Sequence, residues 1–207
     1  METDRAAKPV ASSSSRPPRG RDKRRALVSA ARDALYELGL KKTTLAEVAR
    51  RAEVPLGNVY YYYKSKGALI GAVIEARRGE LEAELEACAG AGAPREQLCA
   101  FLTAQARGAE TKARLGCPLA TLAQDLRKGE HPRAGEARAL LELQLGWLEA
   151  RFRREDDEER RSGRARELAE QLLAAVHGAF VLAHALDDPS VVRRRMGALE
   201  GWVVART

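Results

Sequence analysis

Hydrophobic positions recur at spacings of three and four along almost the whole chain, which is the period of an amphipathic α-helix. The first such run begins after Arg21 and ends at Gly39, a residue type common just beyond helix C-termini. Its apolar members are Ala26, Leu27, Ala30, Ala31, Ala34, Leu35 and Leu38. No segment alternates apolar and polar residues between turn signals, so the pattern predicts an all-α fold without a sheet.

Two short helices are predicted directly after the first run. Thr44 and Glu47 have the spacing of a capping box, in which each side chain bonds the backbone N–H of the other residue. A helix should therefore begin at Thr44, and Pro55 should separate it from the next helix, because proline disfavours helical geometry in the preceding residue. The second short helix is predicted from Leu56 to about Tyr62.

The rest of the chain shows only helical patterns, and they predict about nine helices in total. The later helices are predicted at about 66–88, 94–109, 118–127, 132–154, 163–186 and beyond Pro189. We expect a disordered basic tail at 1–20, a three-helix helix-turn-helix domain at 21–66, and a larger C-terminal helical domain at 67–207 for ligand binding and dimerisation.

The net charge of +7 and the pI of about 9.6 favour a polyanionic partner. The charge is uneven, because residues 1–25 carry eight Lys or Arg against three acidic residues. Two interpretations stay open for this tail. It is either a solvated charge run, or a basic arm whose Arg cluster at 19–25 reaches the minor groove of DNA.

Cysteine usage and the lack of long apolar runs limit the cellular setting. Three cysteines without paired spacing argue against a disulfide framework or a zinc site, and favour a reducing, cytoplasmic environment. The N-terminus lacks the apolar stretch of a secretory signal, and no run approaches the roughly 18 apolar residues of a membrane span.

Catalytic motifs are not found either. There is no GxSxG, P-loop, HExxH, CxxC or GxGxxG pattern, so we predict a protein that is not an enzyme and needs no cofactor. His177 and His184 share a helix face, but no acidic residue stands between them at ligand spacing, and no metal site is expected. A helical adaptor that binds only protein remains the alternative class.

The two short helices have the arrangement of a helix-turn-helix, whose second helix enters the major groove of DNA. In that helix Gly57 permits close backbone approach, and Asn58 suits an adenine edge or a phosphate. Four consecutive tyrosines, 60–63, point around most of the helix, so some must present phenols outward. They either contact DNA or form a packing surface for another protein. Lys64 and Lys66 come next, where helix N-terminal N–H groups favour phosphate.

A longer ordered set of residues carries a family resemblance. Its members are Ala30, Ala31, Leu35, Gly39, Thr43, Thr44, Val48, Ala49, Ala52, Val54, Gly57, Asn58, Val59, Tyr60, Tyr61, Tyr63, Ser65, Lys66 and Leu69. Through this set, residues 24–75 resemble the DNA-binding domain of TetR-family repressors. The rest of the chain is similar to that family in length and helix count, not in motif.

The resemblance implies roles for individual residues. The implied DNA-binding residues are Thr44, Leu56, Gly57, Asn58, Tyr60, Tyr61, Tyr62, Lys64 and Lys66. Tyr63 stands at a core position of the family. Leu56 occupies a position that is often Lys or Arg in the family, so one polar base contact is in doubt. Gly67 replaces a common Glu, so the start of the long helix is expected to be less firmly held.

The resemblance also implies a homodimer through the last two helices, and a small-molecule inducer that releases a palindromic operator. The implied pocket residues are Phe101, Gln105, Cys117, Leu122, Leu126, Leu141, Trp147, Leu148, His177 and Phe180. Ordinary core packing is the competing interpretation for most of them. Cys117 precedes Pro118 at a predicted helix N-terminus, where thiol pKa values tend to fall, so both a structural thiol and a sensor of electrophiles stay open.

Overall fold

The structure is a computed structural model that describes residues 20–153 and 158–207. Within this part of the chain there are ten α-helices and no strand, which confirms the predicted all-α fold. The helices are α1 Gly20–Lys42, α2 Leu45–Arg51, α3 Leu56–Tyr62, α4 Lys66–Ala89, α5 Pro94–Ala106, α6 Ala109–Leu115, α7 Pro118–Lys128, α8 Ala134–Phe152, α9 Glu158–Leu186 and α10 Pro189–Val204. The tail predicted at 1–20 lies outside the described residues except for Gly20.

Glycines account for the differences between predicted and observed helix ends around α1 and α5, while α9 begins at Glu158, earlier than the predicted 163. Gly39 interrupts α1 at φ 75°, as predicted, but the helix resumes and runs to Lys42. Gly108 adopts φ 65° and separates α5 from α6, a helix that the sequence pattern did not distinguish. Both residues occupy the left-handed region, which glycine adopts at little cost.

The first three helices pack around a small apolar core. Leu27 and Ala34 of α1, Val48 of α2 and Val59 of α3 are at most 1% exposed. The remaining buried members of this part are Ala30, Ala31, Leu35, Ala49, Val54 and Tyr63. These residues match the apolar spacing in the sequence, so the same pattern that predicts the helices also determines how they pack.

The predicted capping box forms only in part. Thr44 Oγ1 accepts the backbone N–H of Glu47 at 3.1 Å, as predicted for the N-cap of α2. The carboxylate of Glu47 does not reach back; it accepts hydrogen bonds from Arg50 at 2.8 Å and from Arg51 at 2.7 Å. Two guanidinium partners within one turn are stronger donors than a backbone amide, so they hold the carboxylate away from Thr44.

The remaining helices form the larger body. α8 packs on α9, and α10 packs on both α5 and α9. Phe101, Leu126, Leu140, Leu148 and Phe180 are among its fully buried large side chains. Burial of each contributes roughly 1.5–3 kcal/mol, and this core fixes the position of the first three helices through α4 and α7, which both contact α1.

α9 is apolar enough to correct one expectation. Its segment Gly163–Leu186 reaches a mean hydropathy of 1.3 over 18 residues, so by length and composition alone it could cross a membrane. The prediction that no run approaches such a span was therefore too strict. Leu172, Val176 and Phe180 of this helix are buried against the rest of the body, as in a core helix of a helical bundle.

Candidate functional site

The outer face of α3 presents apolar and phenolic side chains to solvent. Tyr61 is 74% exposed, Tyr60 49% and Leu56 42%. On the opposite face Val59 is fully buried and Tyr63 is 4% exposed. The helix is therefore held by two residues and leaves its other side free, as a groove-reading helix must be.

Tyr63 ties α3 to α1. Arg24 Nε donates to Tyr63 Oη at 3.3 Å, and the guanidinium lies 5.7 Å from the centre of the ring. Tyr62 is half-buried and makes an edge-to-face contact with Tyr61, with ring centres 5.0 Å apart. The structural role predicted for Tyr63 agrees with this burial, and the run divides into one core tyrosine, one intermediate and two exposed.

Gly57 has no structural reason to be glycine in the free protein. It is exposed, and a Cβ placed on it would meet no atom within 4 Å. Its φ does not lie in the left-handed region. The adjoining Asn58 is half-buried. The absence of a side chain thus leaves room for close approach of an external partner at the start of α3.

The polar residues implied to contact phosphate differ in their surroundings. Thr44 and Lys64 are exposed. Lys66 instead turns inward, where Nζ donates to the carbonyl of Leu40 and burial lowers the pKa of the ammonium group. An ammonium has three N–H donors, so two remain for a phosphate. The phosphate contact of Lys66 stays a prediction, and its bond to Leu40 gives this lysine a structural role as well.

Sequence reasoning missed two exposed lysines beside this surface. Lys41 and Lys42 end α1, directly before Thr43 and the N-cap of α2. Cations are favoured at helix C-termini, so lysines at this position do not by themselves indicate DNA binding. Both are exposed and precede Thr44 by two and three residues, so they add positive charge at the N-terminus of α2.

A cavity of about 110 Å³ lies in the body between α4, α5, α6, α7 and α8. Its lining residues are Arg77, Glu80, Leu81, Glu84, Gln105, Lys112, Cys117, Pro118, Leu119 and Gln144. Of the ten predicted pocket residues, only Gln105 and Cys117 line it. Sequence reasoning missed Lys112 and Gln144, although polar residues on otherwise apolar helix faces were a usable signal.

The other predicted pocket residues have different positions. Phe101, Leu122, Leu126, Leu148 and Phe180 are at most 6% exposed and pack in the core, and none of them lines this cavity. Their part in a ligand pocket stays a prediction. Leu141, Trp147 and His177 are half-buried, and none lines this cavity either. Packing between helices decides which apolar side chains lie in the core and which line a cavity. The hydrophobic pattern of a single helix does not contain this information.

Hydrogen bonds connect the polar side chains of the cavity. Gln105 Nε2 donates to Glu84 Oε1 at 2.7 Å, and Lys112 Nζ donates to the carbonyl of Gln105 at 2.5 Å. Lys112 Nζ also lies 4.9 Å from the centre of the Phe180 ring, and burial lowers its pKa. Gln144 Oε1 is buried and has no hydrogen-bond partner in the described part of the chain.

Cys117 lies at the inner side of this cavity. Its Sγ is 3.8 Å from His177 Nε2. Burial raises the pKa of the thiol, and the backbone N–H groups of Leu119 and Ala120 offset that only in part. Burial and the charge of Lys112 both lower the pKa of His177, so the pair is a neutral thiol beside a neutral imidazole. The expected lowering of the thiol pKa at a helix N-terminus is present, but it is smaller than the increase caused by burial. This favours a structural role for Cys117 over a role as a sensor of electrophiles.

The cavity wall is bonded to the helix-turn-helix. Tyr36 Oη of α1 donates to the carbonyl of Gly116 at 2.5 Å, directly before Cys117. Nearby, the backbone N–H of Leu40 donates to Asp125 Oδ2 of α7 at 3.0 Å. These two hydrogen bonds join α1 to the α6–α7 connection and to α7.

Small and apolar residues form an exposed stripe on α9 and another on α10. On α9, Val181 is 66% exposed and lies on one helix face with Ala174, Gly178 and Ala185. On α10, Val204 is 53% exposed and lies in register with Gly197 and Gly201. Ala179, Ala183, Met196, Leu199 and Val203 of the same two helices are buried within the chain. The available apolar surface is therefore on the opposite sides of these helices.

No metal site is apparent in the residues that the structure describes, where no group of three His, Cys, Asp or Glu is close enough to bind an ion.

Residues 27–73 match the sequence profile of a family described as bacterial regulatory proteins, tetR family. Over 52 residues the chain is 40% identical to the HTH-type transcriptional regulator BetI of Klebsiella pneumoniae, strain 342. That match spans 25% of this chain and 27% of the length of that relative.

Solved structures extend the similarity to nearly the whole fold. SCO4454, a TetR-family transcriptional regulator from Streptomyces coelicolor, superposes with a TM-score of 0.76 at 18% identity, over 90% of this chain and 96% of its own. A TetR-family transcriptional regulator from Agrobacterium tumefaciens superposes with a TM-score of 0.72 at 23% identity. The match covers 87% of this chain and 97% of that protein. At these identities the likeness establishes the fold of the body.

Proposed function

We propose that the chain is a transcriptional regulator of the tetR family and a ligand-released repressor of a palindromic operator, because residues 27–73 match that family and the fold resembles its solved structures. The family and the similar proteins are transcriptional regulators, which agrees with the prediction that the chain is not an enzyme. Its partner is double-stranded DNA, and we place the protein in the cytoplasm, where that partner is accessible.

The exposed face of α3 carries this proposal. Tyr60 and Tyr61 project from a helix that Val59 and Tyr63 anchor, and Gly57 opens its start. The phenols reach phosphates or thymine methyls, while Asn58 reads a base edge. The proposed DNA contacts are the full set Thr44, Leu56, Gly57, Asn58, Tyr60, Tyr61, Tyr62, Lys64 and Lys66.

A homodimer through α9 and α10 supplies the second reading helix. One small helix-turn-helix makes few contacts, and two-fold dimers read half-sites about 34–36 Å apart, one turn of DNA. The exposed stripes through Val181 and Val204 support pairing of these helices, because their glycines and alanines let two backbones approach closely. The dimer would then bury apolar surface that a monomer leaves in water.

Release by a small molecule follows from linkage. A ligand shifts the protein toward the conformation that it binds more tightly. If that conformation binds the operator poorly, operator binding weakens by up to the difference between the ligand's binding free energies for the two conformations. The Tyr36–Gly116 hydrogen bond and the Leu40–Asp125 hydrogen bond join the ligand cavity to α1, so they support transmission by this route.

A gel shift with DNA flanking the gene tests the proposal. We expect a discrete complex on one palindromic segment that resists scrambled competitor at two salt concentrations. The affinity should fall as salt rises, because phosphate contacts release counterions. Binding that ignores sequence and disappears with salt would instead indicate that the basic tail alone contacts DNA, and would favour the adaptor alternative.

A further inference from the structure

The cavity between α4 and α8 contains a buried acceptor that lacks a donor. Gln144 is only 3% exposed, and its Oε1 has no hydrogen-bond partner in the described residues. Most buried polar atoms in folded proteins are hydrogen-bonded, because the bond to water is otherwise lost. An acceptor in this position is therefore a place where an external hydrogen-bond donor would be stabilised.

The same cavity holds a cation without a counterion. Within the described part of the chain, no carboxylate oxygen lies within 4.0 Å of Lys112 Nζ, whose one hydrogen bond goes to the carbonyl of Gln105. The ammonium otherwise faces the ring of Phe180 at 4.9 Å. Buried charges in proteins are normally paired, so Lys112 provides a favourable site for an anion.

The carboxylates at the cavity are hydrogen-bonded to groups other than Lys112. Glu80 is held by Arg32 at 2.6 Å and by Arg77 at 3.0 Å, and its side chain is 46% exposed. Glu84 accepts the amide of Gln105 and is also exposed. Burial lowers the pKa of Lys112, whereas the charge of Glu84 raises it through space. Lys112 still lacks a directly bonded carboxylate in the described residues, and this favours an anionic ligand.

We propose that this cavity binds a small organic carboxylate that also carries a hydroxyl, with the carboxylate on Lys112 and the hydroxyl donating to Gln144 Oε1. The volume of about 110 Å³ lies well below the roughly 300–1,000 Å³ of sites for drug-sized ligands, so the ligand is small. The inference rests on the proposed function, because it names the chemical class of the inducer.

Calorimetry on the full chain tests the ligand class directly. The probes are glycolate, lactate, 3-hydroxybutyrate and 4-hydroxybenzoate, each beside its primary amide. We expect saturable binding of at least one acid and binding at least about tenfold weaker for its amide, since the amide lacks the charge. Lys112→Met should weaken the acid by a similar factor, while Lys128→Met, at an exposed lysine of α7, should not.

A paired-ligand comparison isolates the second contact. The acid that binds is compared with its analogue lacking the hydroxyl, for example lactate with propionate. In the wild type the hydroxy acid should bind more tightly, and in Gln144→Leu the two should bind equally. Gln124→Leu, at an exposed glutamine of α7, should keep the difference. Equal binding of both ligands to the wild type would remove Gln144 from the proposal.

Thermal stability is a measurement that needs no ligand at all. If Gln144 is a binding group, Gln144→Leu removes an unsatisfied acceptor and should raise the thermal midpoint by about 2–4 °C. A lowered midpoint would show that the amide serves packing and would overturn the assignment. No saturable binding of any of the four acids, or binding unchanged by Lys112→Met, would also overturn it.

The gel shift separates this inference from the proposed function. Specific operator binding that no acid weakens would leave the DNA-binding proposal intact and reject the ligand class. An acid that binds through Lys112 to a protein without specific DNA binding would support the site and reject the repressor.

Discussion

At the level of single residues, the four tyrosines of α3 share one side-chain chemistry but differ in role. Burial separates them, because Tyr63 is 4% exposed and Tyr61 is 74% exposed. The sequence alone showed that four consecutive tyrosines cannot all be buried. It could assign Tyr63 to the core only through the family resemblance, since Arg24, which contacts Tyr63, lies 39 residues earlier in the chain and is brought to it by the fold.

Replacing each of these two tyrosines with alanine should give opposite phenotypes. Tyr61→Ala should leave stability within about 0.5 kcal/mol of the wild type, because the side chain is exposed, and should weaken specific operator binding about tenfold. Tyr63→Ala should instead cost about 3–5 kcal/mol of unfolding free energy. Urea unfolding and gel shifts of both variants check this. A destabilised Tyr61→Ala protein with unchanged affinity would contradict it.

The N-terminus of α2 should show a specific pH dependence. Arg50 and Arg51 lower the pKa of Glu47 to about 2. The depressed pKa means that the carboxylate adds stability above its ordinary pKa near 4.5, and that this stability is lost as pH falls toward 2. The effect is small because the group is solvated.

Urea midpoints measured between pH 6 and pH 2 check this dependence. Glu47→Gln should show a flatter decline than the wild type over this interval, whereas Glu82→Gln, at an exposed position of α4, should decline as the wild type does. Parallel curves for Glu47→Gln and the wild type would show that the two arginines do not hold the carboxylate.

At the level of helices, number and order are closely predicted by hydrophobic spacing, while breaks inside helices are not. The pattern predicted one helix at about 94–109 and no separate α6, whereas Gly108, at φ 65°, divides this stretch into α5 and α6. The cavity was even less predictable. Lys112 and Gln144 lie on α6 and α8, and a local pattern contains no information about which faces of two distant helices meet.

The contact between α1 and the α6–α7 connection should carry the response to ligand. Tyr36→Phe removes the hydrogen bond to Gly116 and keeps the ring, so operator affinity without ligand should stay within about threefold of the wild type. The weakening of operator binding by ligand should be reduced, because one link between cavity and α1 is lost. Gel shifts with and without ligand check this, and an undiminished response would show that the link is not used.

At the level of the complete protein, the apolar stripes of α9 and α10 should join two chains. Val181→Asp puts a charge on the proposed interface and should convert the dimer to monomer, as measured by sedimentation. Ala83→Asp, at an exposed position of α4, is the control and should remain dimeric. The monomer should lose about 100-fold or more in operator affinity, because only one half-site is held. A dimeric Val181→Asp protein would place the interface elsewhere.

Hydroxyl-radical footprinting of the wild type on its operator reports both how many reading helices bind and where they bind. We expect two protected half-sites related by a two-fold axis, about 34–36 Å or a multiple of this apart, and loss of both in Tyr61→Ala at the same protein concentration. Protection of a single site would contradict a dimeric repressor. Uniform protection along the fragment, still present with Tyr61→Ala, would contradict the reading of DNA by α3.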